Sequence, residues 1–76
     1  MDTRQIVTEL ISDETGMTIT EISGDENFEN LNMDSLAVVS LAFELEKRTG
    51  INEIDPAIFI EYNTINKLTK WVESQQ

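Results

Sequence analysis

The stretch "NLNMDSLAVVSLAFELEKRTGI", residues 30–51, is strongly apolar and predicts the central helix of the chain. It opens with Asp34, a residue type that favours the N-cap position of a helix. It closes with Gly50, which suits the left-handed position that often follows a helix end, and basic residues precede that glycine. We therefore expect a helix from about residue 35 to residue 49.

The apolar residues of this helix fall on two stripes. The first stripe has the i, i+3, i+4, i+7 spacing of a core-facing surface and consists of Val38, Leu41, Ala42 and Leu45. The second consists of Leu36, Val39 and Phe43. The second stripe either packs inside a bundle or forms an exposed surface for partners or cargo, and periodicity alone favours packing.

A first helix and a long connection precede this segment. The helix spans about residues 3–13, with Thr3 as its expected cap and Gly16 beyond its end. Residues 14–33 then form a connection that is unusually long for a small domain and is of a kind that is often functional. We expect its apolar side chains to hold it against the helices; they are Met17, Ile19, Ile22, Phe28 and Leu31.

Two helices are predicted in the last third of the chain. A short one starts with Pro56 in its first turn and runs to about Glu61. A longer one is capped by Thr64 and runs to about Glu73, with its inward residues at Ile65, Leu68 and Val72. The sequence thus predicts an all-α fold in one domain, residues 1–76. Its architecture is a small irregular four-helix bundle, with three main helices, a short third helix and a long first loop.

Composition excludes several classes of function. The chain has 76 residues, a net charge of −10, no cysteine and no histidine. This charge disfavours nucleic acid and anionic membranes as partners, and it either attracts basic protein surfaces or simply keeps the protein soluble. The N-terminus does not resemble a signal peptide, and no apolar run approaches the length of a membrane span, so we expect a cytoplasmic protein.

Ser35 is the residue whose chemistry is open to two interpretations. It lacks a histidine to activate it, so a self-sufficient serine hydrolase is disfavoured and no catalytic residue is predicted. No metal site is predicted either, because the calcium-like run 25–36 has Asn30 and Leu36 where such a loop needs glycine and glutamate. At a helix N-terminus, Ser35 either serves as a cap or carries a phosphate ester, which the helix dipole favours.

Two segments together resemble a known family. The run "LNMDSLAVVSLAFELEKRTGI", residues 31–51, resembles the core motif of acyl carrier proteins, in which Asp-Ser-Leu opens the second helix. The run "IDPAIFIEYNTINKLTKWV", residues 54–72, is similar to the end of carrier domains from polyketide synthases. The resemblance covers nearly the whole chain and implies a non-enzymatic acyl carrier domain of polyketide biosynthesis.

The resemblance also implies roles for individual residues. Ser35 would carry a 4′-phosphopantetheine arm, donated by coenzyme A through a separate phosphopantetheinyl transferase, and the arm's thiol would hold acyl groups as thioesters. A ketosynthase, an acyltransferase and modifying enzymes would be the further partners of a monomeric carrier. Asp34 would fix the loop and face the transferase, and Leu36 would lie at the partner-facing edge. Val39 and Phe43 match partner-facing positions, which now favours the exposed interpretation of the second stripe.

The chain departs from the family pattern at two turns and leaves rival functions open. Asn32 stands where the family usually has glycine, but asparagine tolerates a left-handed backbone, so we expect the turn to survive. Asn63 replaces the usual proline before Thr64. The nearest alternatives are a fatty-acid carrier and an aminoacyl or peptidyl carrier. An alternative from another class is an acidic helical interaction module that is never modified.

Overall fold

The structure, a computed structural model that describes residues 2–76, is all-helical in that range, as predicted. The four helices are α1 (Thr3–Thr15), α2 (Ser35–Thr49), α3 (Ile58–Glu61) and α4 (Ile65–Gln75). The connection between α1 and α2 contains two 3-10 turns, Ile19–Glu21 and Phe28–Asn30, which the sequence did not predict. Among the described residues, no helix combines the length and the apolar character that a membrane crossing requires.

The N-terminus of α1 corrects one prediction. The cap is Asp2 and not Thr3, because the Asp2 carboxylate accepts a hydrogen bond from the backbone N–H of Gln5 at 2.8 Å. The Gln5 side chain accepts one in return from the Asp2 N–H at 3.4 Å, which completes a capping box. The helix then runs to Thr15, two residues further than predicted, and ends at Gly16 with φ of 75°.

The core lies where α2 and α4 pack against α1. Both α2 and α4 contact α1 extensively. The helices α1 and α2 are antiparallel, since Glu14 near the end of α1 accepts from the Ser40 hydroxyl at 2.8 Å while Glu9 pairs with Arg48 at 3.8 Å. The largest fully buried side chains come from all three helices: Val7, Ile11, Leu41, Leu45, Ile65, Leu68 and Val72. The predicted core stripe of α2 is therefore confirmed, with Val38 only partly buried at its edge.

The long connection is held to the core by four of its five predicted apolar side chains. Ile22, Phe28 and Leu31 are buried, and Met17 is partly buried against the core. The prediction for Ile19 was wrong, since this residue is 51% exposed. The segment turns into a 3-10 helix at Ile19, and none of the three residues of that turn is buried.

Polar contacts fix the middle of the connection to α4. The backbone N–H of Asn66 donates to the carbonyl of Gly24 at 3.0 Å, and its side-chain amide donates to Asp25 at 2.6 Å. The Arg4 guanidinium of α1 donates to the carbonyl oxygen of the same Asn66 side chain. A Cβ atom on Gly24 would lie 2.7 Å from that oxygen, so a larger residue would force the Asn66 side chain to move from this position.

The last two helices begin at nearly the predicted places. The helix α3 begins at Ile58, two residues later than expected, because Pro56 lies in the turn that leads into it. The cap of α4 is Thr64, as predicted, and its hydroxyl accepts from the N–H of Lys67 at 3.1 Å. The helix continues to Gln75, two residues beyond the expected end.

Candidate functional site

At the start of α2, the helix is capped by Asp34 and not by the hydroxyl of Ser35. Asp34 has an extended backbone, and its carboxylate accepts from the N–H of Ala37 at 2.8 Å, so Asp34 is the N-cap. Ser35 is the first helical residue and is exposed. Within residues 2–76 its hydroxyl takes part in no hydrogen bond. The capping interpretation therefore belongs to Asp34 alone, and the hydroxyl of Ser35 is available for other chemistry.

The turn that presents Ser35 relies on an asparagine in an unusual conformation. Asn32 has a φ of 42°, in the left-handed region that asparagine tolerates better than most residues. Leu31 before it is 2% exposed and anchors the turn to the core. The expected survival of this turn without a glycine is confirmed. The anchored turn fixes the direction in which the chain enters α2.

A groove of about 360 Å³ opens beside Ser35. Its walls come from α2, from α3 and from the end of the first connection, and most of them are apolar, including Met33, Val38 and Phe59. The connection is tied to the opposite wall, because the N–H of Phe28 donates to the carbonyl of Asn63 at 2.8 Å. This groove was missed by sequence reasoning, although the apolar run 56–60 exceeds what one short helix can bury.

The second stripe of α2 points outward. The exposed fractions are 77% for Leu36, 55% for Val39 and 62% for Phe43, and we call these three residues the apolar strip. The packed interpretation, which periodicity alone favoured, was wrong. Lys47 lies over the exposed ring of Phe43, with its ammonium nitrogen 5.7 Å from the ring centroid. Ile60 of α3, which sequence reasoning did not single out, is 81% exposed.

Other kinds of site find no support among residues 2–76. No group of three or more His, Cys, Asp or Glu side chains in that range is arranged to hold a metal ion. The two salt bridges that join described residues, Glu44–Lys47 and Glu9–Arg48, link side chains that are all more than a third exposed. Surface pairs of this kind contribute little to stability. The start of α2 and its groove remain the candidate site.

Comparison with known proteins gives the family. Residues 5–72 match a protein family described as "Phosphopantetheine attachment site". The chain belongs to this family. Its cofactor is 4′-phosphopantetheine, which is bound covalently, and the family is a carrier family that is not itself catalytic.

Relatives of this phosphopantetheine-attachment chain are regions of much longer proteins. It is 38% identical over 65 residues to the non-reducing polyketide synthase adaA of Aspergillus niger, covering 86% of this chain and 4% of that protein. It is 35% identical over 63 residues to the non-reducing polyketide synthase pkgA of Emericella nidulans, covering 83% of this chain and 3% of that protein. The chain therefore spans only a few per cent of the length of these relatives.

Solved structures share the fold. A free-standing peptidyl carrier protein from an uncharacterised secondary metabolic pathway of Acinetobacter baumannii has a TM-score of 0.87 and 28% identity, covering 96% of this chain and 94% of that chain. The HMG-ACPI domain from the CurA module of Lyngbya majuscula has a TM-score of 0.84 and 18% identity, covering 95% of this chain and 73% of that chain. The second match shows the fold alone. The predicted helical bundle of a carrier protein is confirmed.

Proposed function

We propose that residues 1–76 are one acyl carrier domain whose Ser35 carries the 4′-phosphopantetheine arm. The observation that supports this proposal is which serine hydroxyls are already hydrogen-bonded. Within residues 2–76 every serine except Ser35 makes a hydrogen bond through its hydroxyl oxygen. The four bonded serines are Ser12, Ser23, Ser40 and Ser74. The Ser35 hydroxyl is exposed, unbonded and beside an apolar groove. It fits the attachment of a phosphate ester better than any other serine of the chain.

The position of Ser35 also suits a phosphate physically. Free backbone N–H groups and the helix dipole at the start of α2 favour an anion by about 0.3–1 kcal/mol. Asp34 already caps the helix, so the helix does not depend on the Ser35 hydroxyl for its first turn. Modification of Ser35 would therefore leave the cap intact. When bound, the group supplies the thiol that holds acyl groups as thioesters, which a chain without cysteine cannot supply itself.

A separate phosphopantetheinyl transferase is needed for the attachment. The Ser35 oxygen would displace adenosine 3′,5′-bisphosphate from coenzyme A, and the serine proton would pass to a base of the transferase. The chain has no histidine to act as that base. Asp34, next to Ser35, would face the transferase. The leaving group, the base and the activating magnesium all belong to the transferase reaction, which is why the carrier itself needs only an accessible hydroxyl.

The pathway we favour is polyketide biosynthesis in the cytoplasm. The curated relatives at 35–38% identity are named polyketide synthases. A monomeric carrier of this kind would present acyl groups to a ketosynthase, an acyltransferase and modifying enzymes, and tethering would raise their effective concentration at each partner. The likeness to a peptidyl carrier protein at 28% identity favours an aminoacyl or peptidyl carrier as the second candidate.

The attachment is tested by intact mass. The protein is incubated with coenzyme A and a broad-specificity phosphopantetheinyl transferase, and each variant is weighed by mass spectrometry. We expect the wild type to gain one phosphopantetheinyl group and Ser35→Ala to gain none. The matched control is Ser74→Ala, another exposed serine, which we expect to gain one group like the wild type.

Two outcomes would contradict the proposal. A gain of mass by Ser35→Ala would move the attachment to another residue. No gain by the wild type with several transferases would favour the unmodified acidic interaction module instead. The cargo is identified by isolating the protein from its native host and reading the bound group by mass spectrometry, where an aminoacyl group would support the second candidate.

A further inference from the structure

The basic side chains of this acidic protein lie in two places. The chain has five basic residues against fifteen acidic ones. Lys47 and Arg48, at the end of α2, form salt bridges with glutamates of the same molecule. The other three line one depression of the surface, formed by α4, the start of α1 and the middle of the first connection. We call these three residues the basic patch: Arg4, Lys67 and Lys70.

The side chains of the basic patch have no carboxylate partner within residues 2–76. The Arg4 guanidinium donates to the side-chain oxygen of Asn66, and the Lys67 ammonium donates to that of Asn63 at 3.3 Å. Within the same range Lys70 takes part in no hydrogen bond or salt bridge. Amide oxygens carry no net charge, so the three positive charges are not neutralised by the fold.

The surroundings of the patch leave its charge accessible. Lys67 and Lys70 lie three residues apart and therefore share one face of α4, and both are exposed, as is Arg4. Two carboxylates, those of Asp25 and Glu73, also line the depression. Asp25 already accepts from the side-chain amide of Asn66 at 2.6 Å. The depression thus has more basic than acidic side chains, in a chain whose net charge is −10.

The basic patch is separate from the groove beside Ser35. No residue lines both the depression and the groove. The patch consists of side chains from α1 and α4, whereas the walls of the groove come from α2, α3 and the end of the connection. A protein bound at the patch would therefore leave the Ser35 hydroxyl exposed.

We propose that the basic patch docks an acidic segment of a partner protein. Charge complementarity selects this occupant, because the patch presents three cations from two helices to a ligand with several spaced carboxylates. A second copy of this chain is disfavoured, since two molecules of charge −10 repel each other. The inference goes beyond the function proposed above and does not depend on the modification of Ser35.

The test uses a hexaglutamate peptide as the probe and the unmodified protein labelled with ¹⁵N. At about 0.1 M NaCl charges more than about 10 Å apart are largely screened, so contacts at the patch outweigh the repulsion from the whole chain. Exposed ion pairs are individually weak, and we expect a Kd of about 1–10 mM. The amide signals of residue 4 and of residues 64–70 should shift, while those of residues 35–43 should not. A hexaglutamine peptide should shift neither set.

Two double variants with the same net charge identify the cations that bind. We expect Lys67→Gln with Lys70→Gln to weaken peptide binding about fivefold or more. The matched control is Lys47→Gln with Arg48→Gln, which removes two exposed but internally paired charges and should bind like the wild type. Circular dichroism checks the folding of each variant. Lys70→Gln alone, which removes no contact within residues 2–76, should weaken binding about twofold and serves if a double variant does not fold.

Several results would overturn the inference. Absence of shifts at the patch with hexaglutamate would show that it docks no acidic segment. Equal weakening by the two double variants would assign the binding to net charge and not to this surface. Shifts of the same size with inorganic phosphate at the same concentration would mean that the patch takes any anion. Because Ser35 is unmodified throughout, failure of these measurements is distinct from failure of the intact-mass test of the proposed function.

Discussion

The two faces of α2 have nearly the same chemistry and opposite environments. One face carries Leu41 and Leu45, which are fully buried against the other helices. The other carries Leu36, Val39 and Phe43, which are more than half exposed. The helix is apolar on both sides, but only one side contributes to the packed core. The comparison shows that apolar character in a sequence does not by itself indicate the core.

The buried face is distinguished by its partners. The helix α1 lies antiparallel along α2, and the buried residues of α1 (Val7, Leu10 and Ile11) meet those of α2 in one cluster. Elsewhere α2 borders the groove, whose other walls come from α3 and the end of the connection. Carrying exposed apolar side chains beside that groove gives no stability to the isolated chain. Their retention fits a surface that is covered only when another protein binds.

Two leucine truncations, one on each face of α2, test the comparison of the two faces. They are expected to give the largest difference in the free energy of unfolding. Leu41→Ala removes a fully buried side chain and should cost about 2–5 kcal/mol in the free energy of unfolding, which is comparable to the whole stability of so small a domain. We expect this variant to be largely unfolded by circular dichroism. Leu36→Ala, at a 77% exposed position, should stay within about 0.5 kcal/mol of the wild type. Equal losses from the two variants would contradict the assignment of the faces.

Substitution of Phe43 tests whether the exposed face of α2 contacts a partner enzyme. We expect Phe43→Glu to fold like the wild type, because Phe43 is 62% exposed, and to lower turnover by a partner ketosynthase about tenfold. Turnover is measured with the phosphopantetheinylated protein, and folding by circular dichroism. The matched variant is Phe59→Glu at a buried position, which should unfold. If Phe43→Glu unfolds as well, Phe43 belongs to the core and the apolar strip is wrongly assigned.

Asp34 caps the N-terminus of α2, and its substitution is expected to affect stability less than Leu41→Ala does. Asp34→Ala removes the cap and should lower the free energy of unfolding by about 1 kcal/mol in urea titration. Asp34→Asn retains the cap but removes the charge, so its stability should match that of the wild type. If the charge of Asp34 faces the transferase, Asp34→Asn should still be modified more slowly. If Asp34→Asn and the wild type are modified at equal rates, the only role of Asp34 is to cap α2.

Local signals in the sequence predicted most helix boundaries. The bounds of α2 were predicted correctly, because Asp34 and Gly50 satisfy the backbone groups at its two ends. Thr64 was predicted correctly for the same reason at α4. The cap of α1 was misassigned because Asp2 and Thr3 are both suitable caps, and only the reciprocal bond with Gln5 distinguishes them. The family could also be inferred from the motif around Ser35.

Contacts between distant parts of the chain account for what sequence reasoning missed. The groove is built from segments around residues 27–39 and 56–63, which no local pattern connects. Ile60 was overlooked because three consecutive apolar residues in a short helix do not reveal which of them is buried. Ile19 was misjudged because apolar character alone was taken to indicate packing, whereas Ile19 lies in a 3-10 turn without buried residues.

The sequence by itself determined the helices and the caps of α2 and α4, since each depends on interactions within a few residues, and the family resemblance singled out Ser35. The tertiary structure alone decided which stripe of α2 is inside and where the groove lies. The reason is that burial depends on which helices pack together, and both stripes of α2 satisfy the same local pattern. It also showed that the Ser35 hydroxyl lies unbonded beside the groove.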